Sequence, residues 1–242
     1  MLGAGLALAA CAGAPPAAPD KTAARSIGLF TTLPILWAES EDLRGLLAGD
    51  APPHWALAAL RRHGAVRALD TFLADDSAPP LAGVGLLIMA QPRALAPQEN
   101  VALDRWVRAG GRLLLLADPL LTEESSYAFG DRRRPQDVVL LSPILAHWGL
   151  RLTFDDEQPA GERVVALLGG TLPVNLPGQL TRTRAARGCA LLAGGIAASC
   201  RIGRGKVLII ADAALLEKDR PASAAGNHEM LDRLLAAFEP LP

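Results

Sequence analysis

Two short apolar runs, joined by a helix-like segment, decide the fold: VGLLIMA at residues 84–90 and RLLLLA at residues 112–117. Neither run alternates apolar with polar residues, and uninterrupted runs of this length are typical of parallel strands covered on both faces. The segment that begins at Pro97 between them has helical periodicity. The apolar residues on its predicted inner face are Val101, Leu103, Trp106 and Val107. A strand, a helix and a second strand in this order predict a βαβ unit with parallel strands.

The same alternation extends towards both ends of the 242-residue chain. Further strands are predicted at 26–33, 66–69 and 206–211, and further helices at 53–63, 142–148 and 227–238. Residues 151–203 differ, because short apolar stretches alternate there with Gly, Pro and Asn, which predicts a β-hairpin-rich elaboration. We therefore expect a single α/β domain over residues 26–242, with a mainly parallel sheet and helices on both of its faces.

The first residues indicate export and anchoring. From Leu2 to Ala14 the chain is apolar or small and uncharged, a stretch too short to span a membrane but suited to the core of a signal peptide. Leu8-Ala9-Ala10-Cys11 resembles the lipobox of bacterial lipoproteins, in which cleavage leaves a lipidated cysteine. We predict a signal peptide at 1–10, followed by a lipidated Cys11 and a flexible tether at 11–25. The alternative is an ordinary N-terminus that contains a cysteine by chance.

A pair of cysteines gives a second indication of the compartment. If Gly194-Gly195 forms a two-residue hairpin turn, Cys189 lies opposite Cys200 at a separation that a disulfide accepts. Such a bond persists in an oxidising compartment, and two buried free thiols are the alternative. Together with the lipobox, the predicted disulfide indicates a bacterial cell envelope, with the domain facing the periplasm. Cys11 is followed by Ala12 and not by the aspartate that often marks inner-membrane retention, which favours the outer membrane.

Charge and composition disfavour several classes of function. The net charge is −1 and aromatic residues make up 4% of the chain, so neither a basic stripe nor base-stacking side chains indicate nucleic-acid binding. The histidines have no spacing typical of metal ligands, and neither a metal nor a cofactor is expected. They are His54, His63, His147 and His228. Ser125 and Ser126 lack the G-x-S-x-G context of a serine hydrolase.

Residues that leave the carboxyl ends of the predicted strands form the candidate site, because an open parallel sheet binds ligands beyond these ends. They are Thr31, Thr32, Trp37, Glu39, Gln91, Arg93, Asp118, Glu123 and Asp212. Several carboxylates at this edge could bind a cation, a sugar or a cationic partner. The alternative is that Asp118 and Asp212 cap the turns that follow them. The arginine-rich loop at 122–137 is either a solvated loop or a contact for a partner.

Several motifs of the chain share a further likeness. They are Gly85-Leu-Leu-Ile-Met-Ala90, Leu103-Asp-Arg-Trp-Val107, Gly110-Gly-Arg-Leu-Leu-Leu-Leu-Ala-Asp-Pro119 and, near the C-terminus, GRGKVLIIAD at 203–212. Together they resemble the auxiliary components of gliding-motility-type ABC transport systems and related envelope proteins. The resemblance implies a flavodoxin-like fold similar to that of class I glutamine amidotransferases. Where those enzymes carry a nucleophilic cysteine after a central strand, this chain has Asp118-Pro119.

The resemblance also sets the expected function. It implies a noncatalytic accessory protein, anchored through Cys11, that binds a protein partner or a small ligand for an ABC-type transport or envelope process. The expected partners are an ABC transporter or an envelope protein complex, with the membrane reached through the lipid anchor. The alternative is a carboxylate-dependent hydrolase or carbohydrate-active enzyme that uses Asp118, Glu123 and Asp212. That alternative requires the three carboxylates within hydrogen-bond reach of one reacting centre.

Overall fold

The computed structural model describes residues 26–39, 54–74, 78–183, 188–218 and 224–239. Its strands are β1 (Ser26–Thr31), β2 (Ala65–Ala68), β3 (Leu86–Ala90), β4 (Arg112–Leu116), β5 (Leu150–Thr153), β6 (Glu162–Leu167), β7 (Gly170–Asn175), β8 (Gln179–Arg182), β9 (Cys189–Leu192), β10 (Ala197–Ile202) and β11 (Gly205–Ile210). Its helices are α1 (Trp55–His63), α2 (Pro97–Arg108), α3 (Ser142–His147) and α4 (Ala224–Ala236), with 3₁₀ turns at Ala193–Gly195 and Ala214–Leu216. The predicted signal peptide, Cys11 and the tether lie outside these residues. Among the described helices, none combines the length and the apolar character that a membrane crossing requires.

Seven strands form the central sheet, in the order β2-β1-β3-β4-β11-β10-β9. The five strands from β2 to β11 run parallel, and β10 and β9 add an antiparallel edge. The order β2-β1-β3-β4-β11 of the parallel strands is that of flavodoxin-like sheets. The remaining strands form two small antiparallel pairs, β5 with β8 and β6 with β7. The predicted mainly parallel α/β fold with a hairpin-rich C-terminal part is confirmed.

Side chains that alternate along the sheet divide the core into two layers. On one face, Ile88, Leu114 and Ile210 pack with apolar residues of α1 and α4. On the other face, Met89 and Leu115 pack with apolar residues of α2 and α3. The buried apolar residues of α4 are those that the sequence pattern places inward, namely Met230, Leu231, Leu234 and Leu235, followed by Phe238. Helices therefore cover both faces of the sheet, as predicted, which explains why β3 and β4 have no polar face.

The prediction was wrong for one residue of the inner face of α2. Val101 is 57% exposed, whereas Leu103 and Val107 are buried. At about 100° per residue, position 101 lies roughly 200° from position 103 and therefore points away from the sheet. The inner face of α2 is completed by Glu99, a charged residue that is only 2% exposed.

The predicted disulfide joins Cys189 and Cys200, which are opposite each other in the β9-β10 ladder. The predicted two-residue turn at Gly194-Gly195 is replaced by a longer connection. The last ladder pair is Leu192 with Ala197, and the intervening residues include the 3₁₀ turn Ala193–Gly195. The register was predicted correctly because any symmetric turn centred between positions 194 and 195 pairs 189 with 200.

Candidate functional site

A cleft of about 1160 Å³ lies beyond the carboxyl ends of β1, β2 and β3. Its walls come from residues that follow β1, from the end of β2, from Arg93 after β3 and from the loop at 122–137. The chain connects outwards in both directions from the neighbouring strands β1 and β3, which makes this the topological switch point of the sheet. Open α/β sheets bind their ligands at such points.

The residues that the sequence places at this edge fall into two groups. Thr31, Thr32, Trp37, Glu39 and Arg93 line the cleft. Gln91, Asp118, Glu123 and Asp212 are buried and do not form its lining. Each of these four buried side chains binds the backbone of another segment, so their contacts are described separately below.

Gln91 fastens three segments together below the cleft. Its side-chain Nε2 donates to the carbonyl oxygens of Asp118 at 3.1 Å and Gln136 at 2.7 Å, and its Oε1 accepts from the Asp118 N–H at 2.9 Å. Gln91 has a φ of 41°, a left-handed conformation that is unfavourable for a residue with a side chain. The Thr32 hydroxyl donates to the Gln91 carbonyl at 2.5 Å and accepts from the Gln136 N–H at 3.0 Å. Gln91 and Thr32 therefore hold the loop at 122–137 against the ends of β1 and β3.

Arg93 presents its guanidinium to the cleft from a buried ionic anchor. Its two terminal nitrogens each contact one Glu99 carboxylate oxygen at 2.8 Å, and its Cζ lies 5.0 Å from the centre of the Phe30 ring. Glu99 also accepts from the N–H groups of Ala96 at 2.9 Å and Phe72 at 3.3 Å. Hydrogen bonds from Arg93 are the main reason that the pKa of Glu99 is lowered to about 2, against the opposing effect of burial.

The loop at 122–137 supplies three consecutive arginines to the cleft, and they differ in their partners. Arg133 pairs with Asp131 at 2.7 Å, and its guanidinium lies 4.2 Å from the centre of the Tyr127 ring. Arg134 pairs with Asp137 at 3.1 Å and donates to the Tyr127 carbonyl at 3.1 Å. Arg132 is exposed and makes no hydrogen bond or ion pair with any residue that the structure describes.

Trp37 also lines the cleft, in the segment that follows β1. It is 76% exposed, which is unusual for the largest apolar side chain. In the same cleft, the exposed Arg132 adds a positive charge with no described partner. The cleft therefore offers one aromatic surface and one guanidinium that its own described residues leave available.

Glu123, at the start of the loop, forms a polar cluster with Glu39 and Lys218. Glu39 accepts from the Ser125 hydroxyl and the Ser126 N–H, both at 2.7 Å, and pairs with the Lys218 ammonium at 3.3 Å. Burial opposes ionisation of Glu39, but these bonds and the Lys218 charge together lower its pKa. Lys218 also donates its backbone N–H to Glu123 Oε2 at 3.3 Å.

Glu123 is the least satisfied acidic group of this cluster. It is 7% exposed, and its Oε1 has no hydrogen-bond partner among the described residues. Burial raises its pKa to about 7, and the nearby Glu217 and Glu39 carboxylates act in the same direction, whereas Lys218 opposes them. Glu123 therefore changes its charge near neutral pH.

Asp118 and Asp212 have the capping role that the sequence offered as an alternative to ligand binding. Asp118 accepts from the N–H groups of Leu120 at 2.9 Å and Ala213 at 3.2 Å. Asp212 accepts from those of Ala214 at 2.6 Å and Asn175 at 2.8 Å. All four carboxylate oxygens thus receive a backbone hydrogen bond.

The predicted alternative of acid/base chemistry requires carboxylates that can reach a substrate, and these caps occupy the carboxylates of Asp118 and Asp212. Burial, followed by the repulsion of Asp118, raises the pKa of Asp212 well above its ordinary value. Both side chains are nonetheless committed to backbone donors that hold β4, β11 and β7 together. Within the described ranges, no group of three or more His, Cys, Asp or Glu side chains is arranged to hold a metal ion.

Two residues that organise the site were missed in the sequence. Glu99 is the third residue of α2, and a glutamate at that position is half of a helix-capping pattern, which was the available signal. Its usual partner, a Ser or Thr at the N-cap, is Ala96 here, so the pattern was incomplete. Lys218 carries no local signal, because its partner Glu39 lies 179 positions away in the chain.

Comparison with known proteins shows the fold and no family. No family model and no curated protein matches the chain. Among solved structures, it is similar to the N-terminal domain of mmIFT52, at 14% identity and a TM-score of 0.53, covering 88% of this chain and 96% of that one. It is also similar to the cytoplasmic protein STM3548 from Salmonella typhimurium, at 10% identity and a TM-score of 0.51, covering 88% and 98%.

The chain is also similar to part of some glycosidases. It matches Gan42B, a GH42 β-galactosidase from G. stearothermophilus, at 11% identity and a TM-score of 0.51, covering 90% of this chain and 30% of the enzyme. The chain thus spans about a third of the length of the glycosidases it matches. At these levels of identity the likeness shows a shared fold alone.

Proposed function

We propose that the chain is a noncatalytic accessory protein of the bacterial cell envelope, and that the cleft at the switch point binds a partner or a small ligand. In this proposal it serves an ABC-type transport or envelope process. The observation that carries it is the cleft of about 1160 Å³ beyond β1, β2 and β3, with Trp37 and Arg132 exposed in its walls. Clefts at this position in α/β sheets are where ligands are bound.

A binding role fits the remaining polar groups better than a reaction does. Asp118 follows the central strand β4 at the position where amidotransferases have a nucleophile, and its two oxygens accept backbone hydrogen bonds. The two carboxylate oxygens of Asp212 likewise accept backbone hydrogen bonds. Cys189 and Cys200 are joined to each other, so neither thiol is available as a nucleophile in the oxidised protein. These contacts support a scaffold that positions a binding surface.

Two features support the envelope location. A disulfide such as Cys189-Cys200 persists in oxidising compartments, which in bacteria means the periplasm and beyond. The lipobox-like Leu8-Ala9-Ala10-Cys11 would anchor the domain to a membrane by acyl chains. The resemblance of residues 85–119 to auxiliary components of ABC systems supplies the expected kind of partner.

Photo-crosslinking in the intact envelope tests this proposal. Trp37→p-benzoylphenylalanine places a reactive group in the cleft of the full-length chain, and the same replacement of Val101, which is 57% exposed on α2, is the control. We expect a discrete adduct from position 37 and not from position 101, identified by mass spectrometry as an envelope component such as a transporter subunit. The same adducts from both positions, or none from position 37, would contradict a binding role for the cleft.

A further inference from the structure

We propose that the ligand of the cleft is an acidic, extended segment of a partner protein, with Arg132 pairing with its carboxylates and Trp37 packing on its apolar part. This inference rests on the proposed binding function of the cleft. It adds the chemistry of the ligand and the two side chains that contact it. Each of these points is argued from the charges and contacts of the cleft.

The distribution of ion pairs indicates the sign of the ligand. Of the four arginines in the cleft, Arg93, Arg133 and Arg134 each have a carboxylate partner, which are Glu99, Asp131 and Asp137. The lining also holds two acidic residues: Glu39 is paired with Lys218, and Asp70 lies near Arg93, where its charge adds to the effect of Glu99 in raising the pKa of Arg93. Arg132 is therefore the guanidinium of the lining that keeps an uncompensated charge within the described structure. A guanidinium favours carboxylates, which it can bind through two parallel hydrogen bonds.

Trp37 indicates that the ligand also has an apolar part. A tryptophan that is 76% exposed leaves a large apolar surface in water, although burial of such surface is favourable by about 25 cal/mol per Å². Trp and Arg, together with Tyr, are the residue types enriched among the energetically dominant contacts of protein interfaces. Together, Trp37 and Arg132 have the composition of such a contact pair.

The size of the cleft favours a chain segment over a small anion. Pockets for drug-sized ligands measure about 300–1000 Å³, and a cleft of about 1160 Å³ also has room for several residues of an extended chain. An extended peptide of several residues can reach both Arg132 and Trp37. The remaining lining includes residues that follow β1 and β2, against which the backbone of the peptide would lie.

The loop that carries Arg132 is held in place before any ligand binds. Arg134 fixes it through Asp137 and the Tyr127 carbonyl, and Gln136 fixes it through Thr32 and Gln91. The guanidinium of Arg133 lies over the ring of Tyr127 in a cation–π contact. Binding then requires little ordering of the protein, which reduces the entropic cost of association.

Binding of a defined acidic peptide tests the inference. The probe is a fluorescein-labelled decapeptide with four glutamates and two leucines, and the matched peptides carry glutamine or lysine in place of every glutamate. We expect the acidic peptide to bind, with weaker binding at higher salt concentration, and the other two to bind at least about tenfold more weakly. The acidic peptide should also protect Trp37 from acrylamide quenching, since Trp37 is the exposed one of the four tryptophans, whereas Trp55 and Trp106 are half-buried and Trp148 is buried.

Two variants and one control assign the contacts. Arg132→Glu and Trp37→Ala are each expected to weaken binding of the acidic peptide by about tenfold or more, as truncation of a dominant interface residue does. Arg105→Glu makes the same charge change at an exposed position of α2 outside the cleft and should leave binding unchanged. Urea unfolding checks that all three variants remain folded.

The outcomes separate this inference from the function on which it rests. A cross-link from position 37 without binding of the acidic peptide would retain the binding function and overturn the acidic-segment inference. Equal binding of the lysine peptide, or equal weakening by Arg105→Glu, would overturn it as well. Inorganic phosphate and phosphatidylglycerol vesicles serve as further probes, and Arg132-dependent binding to either one in place of the peptide would assign the charge to a different ligand. A failure of both the cross-link and every probe would remove the proposed function.

Discussion

Glu99 and Glu123 are both buried near the carboxyl edge of the sheet, at 2% and 7% exposure, yet their pKa values are displaced in opposite directions. The pKa of Glu99 is lowered to about 2, because Arg93 and two backbone N–H groups stabilise its charge. The pKa of Glu123 is raised to about 7, because burial dominates and its Oε1 has no described partner. Burial alone therefore does not determine charge in this protein, and the number of aligned donors does.

The two groups also contribute oppositely to stability as the pH changes. Glu99 has a folded pKa below its unfolded value, so its contribution is present above about pH 4.5 and is lost as the pH falls towards 2. Glu123 has a folded pKa above its unfolded value, so its contribution is present below about pH 4.5 and is lost as the pH rises through 7. We infer that the charge of Glu99, beside Arg93, stays constant around neutral pH, whereas the charge of Glu123 changes with pH in that range.

The largest expected effect comes from removing the donor that distinguishes Glu99. Arg93→Met keeps the length of the side chain but leaves Glu99 buried and charged without its partner. We expect a loss of about 3 kcal/mol in the free energy of unfolding at pH 7, at the low end for a buried pair because the Arg93 side chain is 39% exposed. Urea denaturation measures this loss.

A second variant shows whether that loss comes from the stranded charge. Adding Glu99→Gln to Arg93→Met should recover part of the stability, because the neutral amide no longer needs a cation. Arg105→Met, at an exposed position of α2, should change stability by less than about 0.5 kcal/mol. A similar small change for Arg93→Met would mean that the ion pair does not determine the state of Glu99.

The next effect is a gain in stability from Glu123→Gln. At pH 8.5 the wild-type carboxylate is ionised in a buried site, so the neutral amide should stabilise the fold by about 2 kcal/mol. This is less than the roughly 3 kcal/mol that a pKa change from 4.5 to about 7 represents, because the new amide group also needs partners. At pH 5 the two proteins should be nearly equal. Thermal unfolding at both pH values, with the exposed Glu124→Gln as control, measures the difference, and equal gains at both pH values would refute the assignment.

Local pattern was sufficient to predict the scaffold. The uninterrupted runs at β3 and β4, the helix that begins at Pro97 and the cysteine register of β9 and β10 all depend on residues close together in the chain. Periodicity was a poorer guide where one residue broke the pattern. Val101 was predicted to face the sheet but points into solvent. The inner face of α2 instead contains the charged Glu99.

The chemistry of the site depends on contacts that no local pattern reports. Gln91 was predicted as a ligand residue, but its side chain binds segments 27 and 45 positions away and its backbone is left-handed. The opposite pKa changes of Glu99 and Glu123 depend on which of two similar glutamates meets an arginine. Sequence reasoning could therefore place the edge where the cleft lies, but it could not tell which polar side chains would be committed to the scaffold.

The smallest expected effect tests whether the hydrogen bonds from Ser125 and Ser126 to Glu39 hold the part of the loop next to Glu123 in place. Ser125→Ala removes the hydroxyl that donates to Glu39 at 2.7 Å and should lower the free energy of unfolding by about 1 kcal/mol, the usual value for such a bond. Ser126→Ala is a matched control, because Ser126 reaches Glu39 through its backbone N–H, which the substitution retains. Hydrogen exchange of the Ser126 amide should speed up in Ser125→Ala and stay slow in the control. Equal behaviour of the two variants would show that this loop is held by its remaining contacts, with Gln91 and Thr32 as the principal ones.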